Sequence, residues 1–422
     1  MSVGPKSAEE AAIAARPGPT TWTVAVVATL GMSVSYVDRQ TLAAIAPDVT
    51  KALAIDNSRY GLLVSAFSMA YLIGSPLAGV VVDRFGARRC FAGALVVWSV
   101  IAALHSLVAS FAVLFALRIL LGLAESPSFP SAAQAIRRAL PGTRRPLAFG
   151  LLFTGSSLGA IVAGKLAVRL AAAYGFRAAF IGTALIGAAW LPFWLLATRR
   201  AGLGPPVKTE DASSTSTSAP SARGEWFAVA TSAPVLRTLV ACGGAAPLLM
   251  FVLNWTSKYL VEGWKLAPSD VGNLLIWPPL VFDVGAIGFG ALANLLQDRD
   301  GTSPRGLIVF AMLLAASLVL APFAPSPSTA IAVFAVAAAG GGGIYVLATN
   351  DMLARVPVER TSAAGGLAAA SQSLAHIIAG PFVGWTIDRT QSHSVALFML
   401  GGIVIPTSLA FVFWPGLCRR PQ

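Results

Sequence analysis

The chain has 422 residues, of which 56% are hydrophobic and 11% charged, and its mean hydropathy is +0.74. A soluble domain typically carries about 25% charged residues, so water is excluded as the solvent for most of this chain and a bilayer takes its place. The net charge of +12 calls for no nucleic acid, because membrane lipids with anionic headgroups are a sufficient partner.

The first element in chain order is a polar tail. MSVGPKSAEEAAIAARPGP has no apolar core at its start and contains prolines. It is no signal peptide, and residues 1–21 are expected to form a disordered cytoplasmic tail. Apolar stretches follow at 22–46, 59–82, 90–108, 111–135, 147–171, 177–198, 235–260, 270–296, 305–323, 328–353, 361–386 and 394–415. About 20 such residues span the hydrocarbon. Lipid offers backbone amides no partner, so each stretch is expected to be a helix. The expected fold class is an all-α integral membrane protein of twelve transmembrane helices.

The one long polar break, 199–234, contains EDASSTSTSAPSARGEW and reads as a mobile cytoplasmic linker. It divides the chain into an N-terminal six-helix bundle, 22–198, and a C-terminal one, 235–415, with a short cytoplasmic tail at 416–422. Two similar halves around a central site suit rocking of one against the other. DRFGARR at 83–89, IRRALPGTRR at 136–145, the segment from Arg199, and Arg419 and Arg420 fall on one side of the membrane. The other side receives HSLVAS and APFAPSPST. Arginines concentrate on the inside, which places both termini in the cytoplasm.

Cys90, Cys242 and Cys418 are scattered, without metal or disulfide spacing, and read as small apolar fillers. No phosphate-binding loop, CxxC pair or zinc motif occurs, so neither a metal nor a nucleotide is expected. Energy then comes from an ion or substrate gradient, or is not used at all, and no cofactor is expected.

A charge inside a membrane helix is costly and points to function. Helix one carries Tyr36-Val-Asp38-Arg39-Gln40, and helix four carries Arg118 and, two turns deeper on nearly the same face, Glu125. At 1.5 Å per residue, Arg118 lies at the depth of Asp38, and Glu125 lies close to the midplane. Two acids and two bases neutralise one another when the site is empty. An anion that binds an arginine competes with a carboxylate, and protonating that carboxylate frees the arginine. The quartet therefore reads as a device that admits a proton and an anion together. A static ion network joining helices one and four is the competing reading.

Polar and aromatic groups near the quartet suit a polyhydroxy acid: Tyr36, Tyr71, Ser156, Ser371, Gln372 and His376, with Asn254 and Trp255 capping the cavity from helix seven. Gln372 and His376 lie one turn apart and face one way. His376 either titrates or is a hydrogen-bonded structural residue. Lys258 either snorkels or gives an entering anion a second positive contact. Asp283 either pairs with Lys258 or bonds into the cavity. Lys165 and Arg169 approach the outer interface and snorkel. Gly340–Gly343 in helix ten suits close packing.

The motif Gly79-x-x-x-Asp83-Arg84-x-Gly86-x-Arg88-Arg89 resembles the signature loop of the major facilitator superfamily. Weaker echoes follow at Gly290–Asn294 and at Gly384-Trp-Thr-Ile-Asp388-Arg389. In that family the loop latches the two halves in the outward-open state. The resemblance thus assigns Gly79, Asp83, Arg84 and Arg88 to a conformational latch, with Gly79 allowing close helix approach; a purely topogenic basic loop is the alternative.

A narrower resemblance covers nearly the whole chain. Tyr36-x-Asp38-Arg39-Gln40-x-Leu42 and Arg118-x-x-x-Gly122-x-x-Glu125-x-Pro127-x-Phe129-Pro130 resemble the anion:cation symporter branch, which includes bacterial hexuronate and galactonate carriers. Trp255-x-x-Lys258-Tyr259-Leu260 and Trp277-Pro278-Pro279-Leu280-x-x-Asp283-x-Gly285 resemble the hexuronate carriers. The resemblance implies that Asp38 and Glu125 carry protons, that Arg118 pairs with Asp38, and that Arg39 and Tyr71 contact the substrate. At Ser156 the chain departs from relatives that carry Asn or Gln in this stretch, leaving more room.

The expected function is proton-coupled import of a small organic anion of the sugar-acid type, such as a hexuronate or aldonate, by a monomer in the inner membrane. Another carboxylate on the same machinery, aromatic or short-chain, is an alternative. A drug:proton antiporter is a more distant one, against which Arg39 argues. An enzyme is not expected, because no nucleophile–base pair is visible.

Overall fold

The computed structural model describes residues 19–140, 145–201, 230–296, 305–356 and 361–414. The N-terminal tail, most of the 199–234 linker and the last residues, Cys418 included, lie outside them. Described residues form no strand. The long helices are α1 (Pro19–Ala44), α2 (Asn57–Phe85), α3 (Ala87–Leu104), α4 (Phe111–Glu125, resuming at Ser128–Ala139), α5 (Arg145–Tyr174) and α6 (Phe176–Arg200). The second set is α7 (Ala233–Asn254), α8 (Trp277–Leu296), α9 (Arg305–Ala316), α10 (Pro327–Arg355), α11 (Thr361–Thr390) and α12 (Ser394–Val412). Short helices at Ala46–Ala52 and Pro268–Leu274 extend α1 and precede α8.

Helix ends follow local chemistry. Asp56 caps α2 by accepting from the Arg59 amide at 2.7 Å, and Ser326 caps α10 by accepting from the Thr329 amide at 3.2 Å, each satisfying a donor that the helix leaves free. Gly86 and Gly175 turn the chain between α2 and α3 and between α5 and α6 with φ of 85° and 84°, a region that glycine enters without steric cost.

Among the described residues, ten helices are long and apolar enough to cross a membrane. α1 and α11 are not among them, although they are as long. Their own polar residues, from Tyr36 to Gln40 and from Ser371 to His376, lower their hydropathy. Large apolar side chains such as Leu77 (65% exposed), Val80 and Ile287 face outward, where lipid rather than water would meet them.

Successive helices run in opposite directions. The face where α1 begins is called here the near face, and the other the far face. α1 packs on α5 and α6, α2 on α4, and α3 on α6; α10 packs on α7, α8 and α9. The two sets meet along α2–α11 and α5–α8. Phe91, Trp98, Trp190 and Trp194 form one aromatic core, with Trp190 Nε1 donating to Val27 O at 3.1 Å and Trp194 Nε1 to Arg88 O at 3.0 Å.

In the second set the glycines of α10 make the core. A Cβ on Gly340 would lie 2.2 Å from Ala315 N, inside the backbone of α9. Gly340→Val is therefore expected to cost about 1–3 kcal/mol through overpacking, read as a lower melting temperature in detergent. An unchanged melting temperature would refute the packing account of this glycine run.

Candidate functional site

Ser35 and Arg39 are one turn apart on α1, so they share a face. That face meets Glu125, the last residue before α4 breaks at Ser126 and Pro127. Glu125 Oε2 accepts from Ser35 Oγ at 2.7 Å, from Arg39 Nη2 at 3.1 Å and from Arg39 Nε at 3.4 Å. Glu125 is fully buried, whereas 16% of the Arg39 side chain remains exposed. The Oε1 atom of Glu125 has no hydrogen-bond partner among the described atoms. Gly122, one turn earlier on α4, lets that helix close on α2: a Cβ there would lie 2.6 Å from Phe67 O.

Arg39 is caged by rings. Its guanidinium lies 4.4 Å from the centroid of Tyr36, 4.5 Å from Phe67 and 4.9 Å from Tyr71, within the range of cation–π attraction. A cavity of about 730 Å³ runs from Arg39, Tyr36, Gln372 and His376 down to Pro76, Pro130, Phe153 and Leu367. These last four lie in the third of each helix nearest the near face, so the cavity leads that way. A smaller chamber of about 100 Å³ adjoins it, sharing Tyr36, Gln372 and His376 and adding Ser156, Ser157 and Phe282.

Several expected residues meet here and others do not. Arg39, Glu125, Tyr36, Tyr71, Ser156, Gln372 and His376 come together around the two chambers. The expected Asp38–Arg118 pair is not made. Among the described residues, neither carboxylate oxygen of the buried Asp38 makes a close hydrogen bond. Arg118 instead donates to Arg39 O at 3.4 Å and lies over Phe67 at 5.0 Å. Equal depth along two helices does not fix the direction a side chain takes about its own helix axis, and Arg118 extends to the α1 backbone, where Phe67 offers its ring to both guanidiniums. Ser371 is turned off the cavity-lining face and donates to Ala368 O at 2.8 Å; Leu367, Ala370 and Ser373 line the wall in its place.

Asn254, Trp255 and Lys258 do not line the cavity either. They belong to a seal at the far face, because α7 ends at Asn254 and its last turns cross onto α1 and α2. Tyr60 Oη donates to Asn254 O at 2.6 Å, and the fully buried Trp255 packs its ring edge-on against Tyr60 at 5.0 Å. Ser257 Oγ donates to Ala44 O at 2.7 Å. Lys258, 2% exposed, bonds Thr50 Oγ1 at 3.2 Å and pairs with Glu262 at 2.6 Å, so it does not snorkel. Asp283 accepts from Ser157 Oγ at 2.8 Å rather than pairing with Lys258. At the other face, Asp83 accepts from Gln134 Nε2 at 2.9 Å within its own half, and Arg84 lies over Phe85. Arg88 lends its carbonyl to Trp194, while its Nε has no partner among the described atoms. A Cβ on Gly79 would meet nothing within 4 Å, so the close approach expected of it is not made.

Residues 28–380 match the family described as Major Facilitator Superfamily. The chain belongs to that superfamily. A hexuronate transporter of Bacillus subtilis (strain 168) is 26% identical, covering 90% of this chain and 91% of the relative. A probable galactarate/D-glucarate transporter of the same organism, GudP, is 24% identical over 94% of this chain and 92% of its own length. A probable sulfoacetate transporter of Cupriavidus necator, SauU, is 26% identical over 90% of each. Among solved structures of the superfamily's fold, an inward-facing, unoccupied bacterial homologue of the human lysosomal transporter Spinster superposes with a TM-score of 0.74 at 16% identity, over 93% of this chain and 94% of that one.

Sequence reading missed Ser35, Phe67 and a second buried ion cluster. Ser35 had a signal, its place one turn before Arg39; Phe67 had the same signal one turn before Tyr71. The cluster joins Arg237 on α7 to Asp351 on α10, which also accepts from Arg355 Nε at 3.1 Å. The Arg237 and Asp351 side chains are only 7% and 4% exposed. Removing one partner of a buried pair costs roughly 3–5 kcal/mol, so Asp351→Ala is expected to lower the melting temperature markedly. A melting curve like that of the parent protein would contradict a structural role for the cluster.

Proposed function

We propose that the protein is a proton-coupled symporter that imports a small organic acid of the sugar-acid class by alternating access. One observation carries this reading above the rest: Arg39 stands at the closed end of a cavity leading to one face, and its counter-charge is a carboxylate that can be replaced. A guanidinium binds a carboxylate through two parallel hydrogen bonds. A cavity of about 730 Å³ is within the range of roughly 300–1,000 Å³ that holds small ligands. The relatives are named as a hexuronate transporter and as probable transporters of galactarate or D-glucarate and of sulfoacetate, all small organic acids.

The steps follow from charge balance. An incoming carboxylate takes the two donors of Arg39 that Glu125 Oε2 holds. Glu125 is then left buried without its counter-charge, a condition that costs several kcal/mol. A proton on Glu125 removes that cost. Ser35 continues to hold the Oε2 side of the group, and Asp38 nearby can take a second proton. Tyr36, Gln372 and His376 offer hydrogen bonds to hydroxyls of the bound acid, and the faces of Phe67 and Tyr71 cover its carbon chain. Rocking of the halves along α2–α11 and α5–α8 then exposes the loaded site to alternate faces. The near face is read as cytoplasmic, since the arginine-rich loops lie there.

Reconstitution into liposomes tests this. With an inward proton gradient, uptake of at least one member of a panel of hexuronates, aldonates and aldarates is expected to exceed equilibrium. Absence of gradient-driven uptake across the whole panel would overturn the proposal.

A further inference from the structure

The last turn of α11 carries Asp388 at the far face, where α2 begins. The Asp388 carboxylate accepts four hydrogen bonds from that helix start: Asn57 N at 3.2 Å, Asn57 Nδ2 at 3.0 Å, Ser58 N at 2.7 Å and Ser58 Oγ at 2.6 Å. The free amides of a helix start carry partial positive charge and favour an anion. Here the anion comes from the other half of the molecule, so the contact exists only while the two halves are together at this face. Asp56 serves as the local cap of α2, so Asp388 is not needed to form the helix.

The sequence around Asp388 repeats that at the opposite end of the same helix pair. Gly384-Trp-Thr-Ile-Asp388-Arg389 closes α11 at the far face, and Gly79-Val-Val-Val-Asp83-Arg84 closes α2 at the near face, with the same spacing from glycine to aspartate. Their packing is opposite. A Cβ on Gly384 would lie 2.1 Å from Asn57 O, whereas one on Gly79 would meet nothing within 4 Å. Asp388 binds across the halves, while Asp83 binds Gln134 of its own half. Two copies of one device thus stand in opposite states in one conformer.

We propose that Asp388 and Gly384 form a latch that holds the far face shut, and that it must release before the site can face that side. The inference rests on the alternating-access reading above. Gly384 brings α11 against the α2 backbone, and Asp388 then closes the contact with charge-assisted bonds. Release exposes the α2 amides to water, which replaces the lost partners.

Spin-label distances in liposomes test the latch. One pair of labels, at Lys51 and Lys265, spans the halves at the far face. A second pair, at Arg138 and Leu353, spans them at the near face. Asp388→Ala is expected to increase the far-face-open population by about fivefold or more, since even a few hydrogen bonds bias a two-state balance by such factors. Ser58→Ala, which removes one bond and leaves the helix cap in place, is expected to shift it the same way by less. An imposed proton gradient with a transported acid serves as the reference that moves both distances in the parent protein. If that reference moves the distances and neither variant does, the latch is overturned while alternating access stands. If the reference moves neither distance, alternating access fails and the latch fails with it.

Discussion

Arg39→Ala is expected to weaken binding of the transported acid roughly ten- to a hundredfold. A hydrogen bond to a charged group contributes about 1.5–3 kcal/mol, and the guanidinium fork supplies two donors in a fixed plane. No described neighbour can take its place: Arg118 lies over Phe67 and bonds a backbone carbonyl, and Lys258 is occupied by Glu262 and Thr50 at the far face. Arg39→Lys keeps the charge but loses the fork and much of the contact with Tyr36, Phe67 and Tyr71, so an intermediate loss is expected. Titration calorimetry in detergent measures both. Parent-like affinity in the alanine variant would remove Arg39 from the binding site.

Glu125→Gln is expected to abolish accumulation against a gradient while leaving exchange of labelled for unlabelled acid intact. The amide is nearly the shape of the carboxyl and still accepts from Ser35, so the site keeps its form. It can neither pair with Arg39 as an anion nor take up a proton. Arg39 is then free in every state, and binding of the acid is expected to be as tight as in the parent or tighter. The transport cycle loses the step that ties anion release to proton release. Uphill uptake at the parent rate in this variant would show that the proton travels elsewhere. Loss of exchange together with uptake would instead mark Glu125 as a structural group.

Fold and site were legible in the sequence to different depths. Helix positions followed from the length of apolar runs, since lipid leaves a buried backbone no other solution. The polar residues that lower the hydropathy of α1 and α11 also marked where the site would be. Arg39, Glu125, Tyr36, Tyr71, Gln372 and His376, which the structure brings together, stood out because a charge or a hydrogen-bonding group in a membrane helix needs a reason. Pairing was less legible. Asp38 and Arg118 lie at equal depth, yet depth along a helix does not fix where a long side chain turns, and Arg118 reaches the Arg39 carbonyl and the Phe67 ring instead. Asn254 and Trp255 read as a cap on the cavity that touches substrate, and Lys258 as a snorkelling group or a contact for an entering anion, but an alternating-access carrier needs polar groups for its seals as well. No rule of spacing separates the two uses; only the break of α7 at Asn254 does. The arginine-rich near-face loop was read as a latch by resemblance, while the copy at Asp388 was noticed only as an echo.

The central claim is that the bound acid displaces Glu125 from Arg39 and that Glu125 then holds the proton. Infrared difference spectroscopy on substrate addition tests this most directly, because a protonated carboxyl absorbs apart from carboxylates and amides. The expected result is a new protonated-carboxyl band in the parent protein that is lost in Glu125→Gln, while any band from Asp38 is common to both. A parent spectrum without such a band, or the same band persisting in Glu125→Gln, would contradict the account.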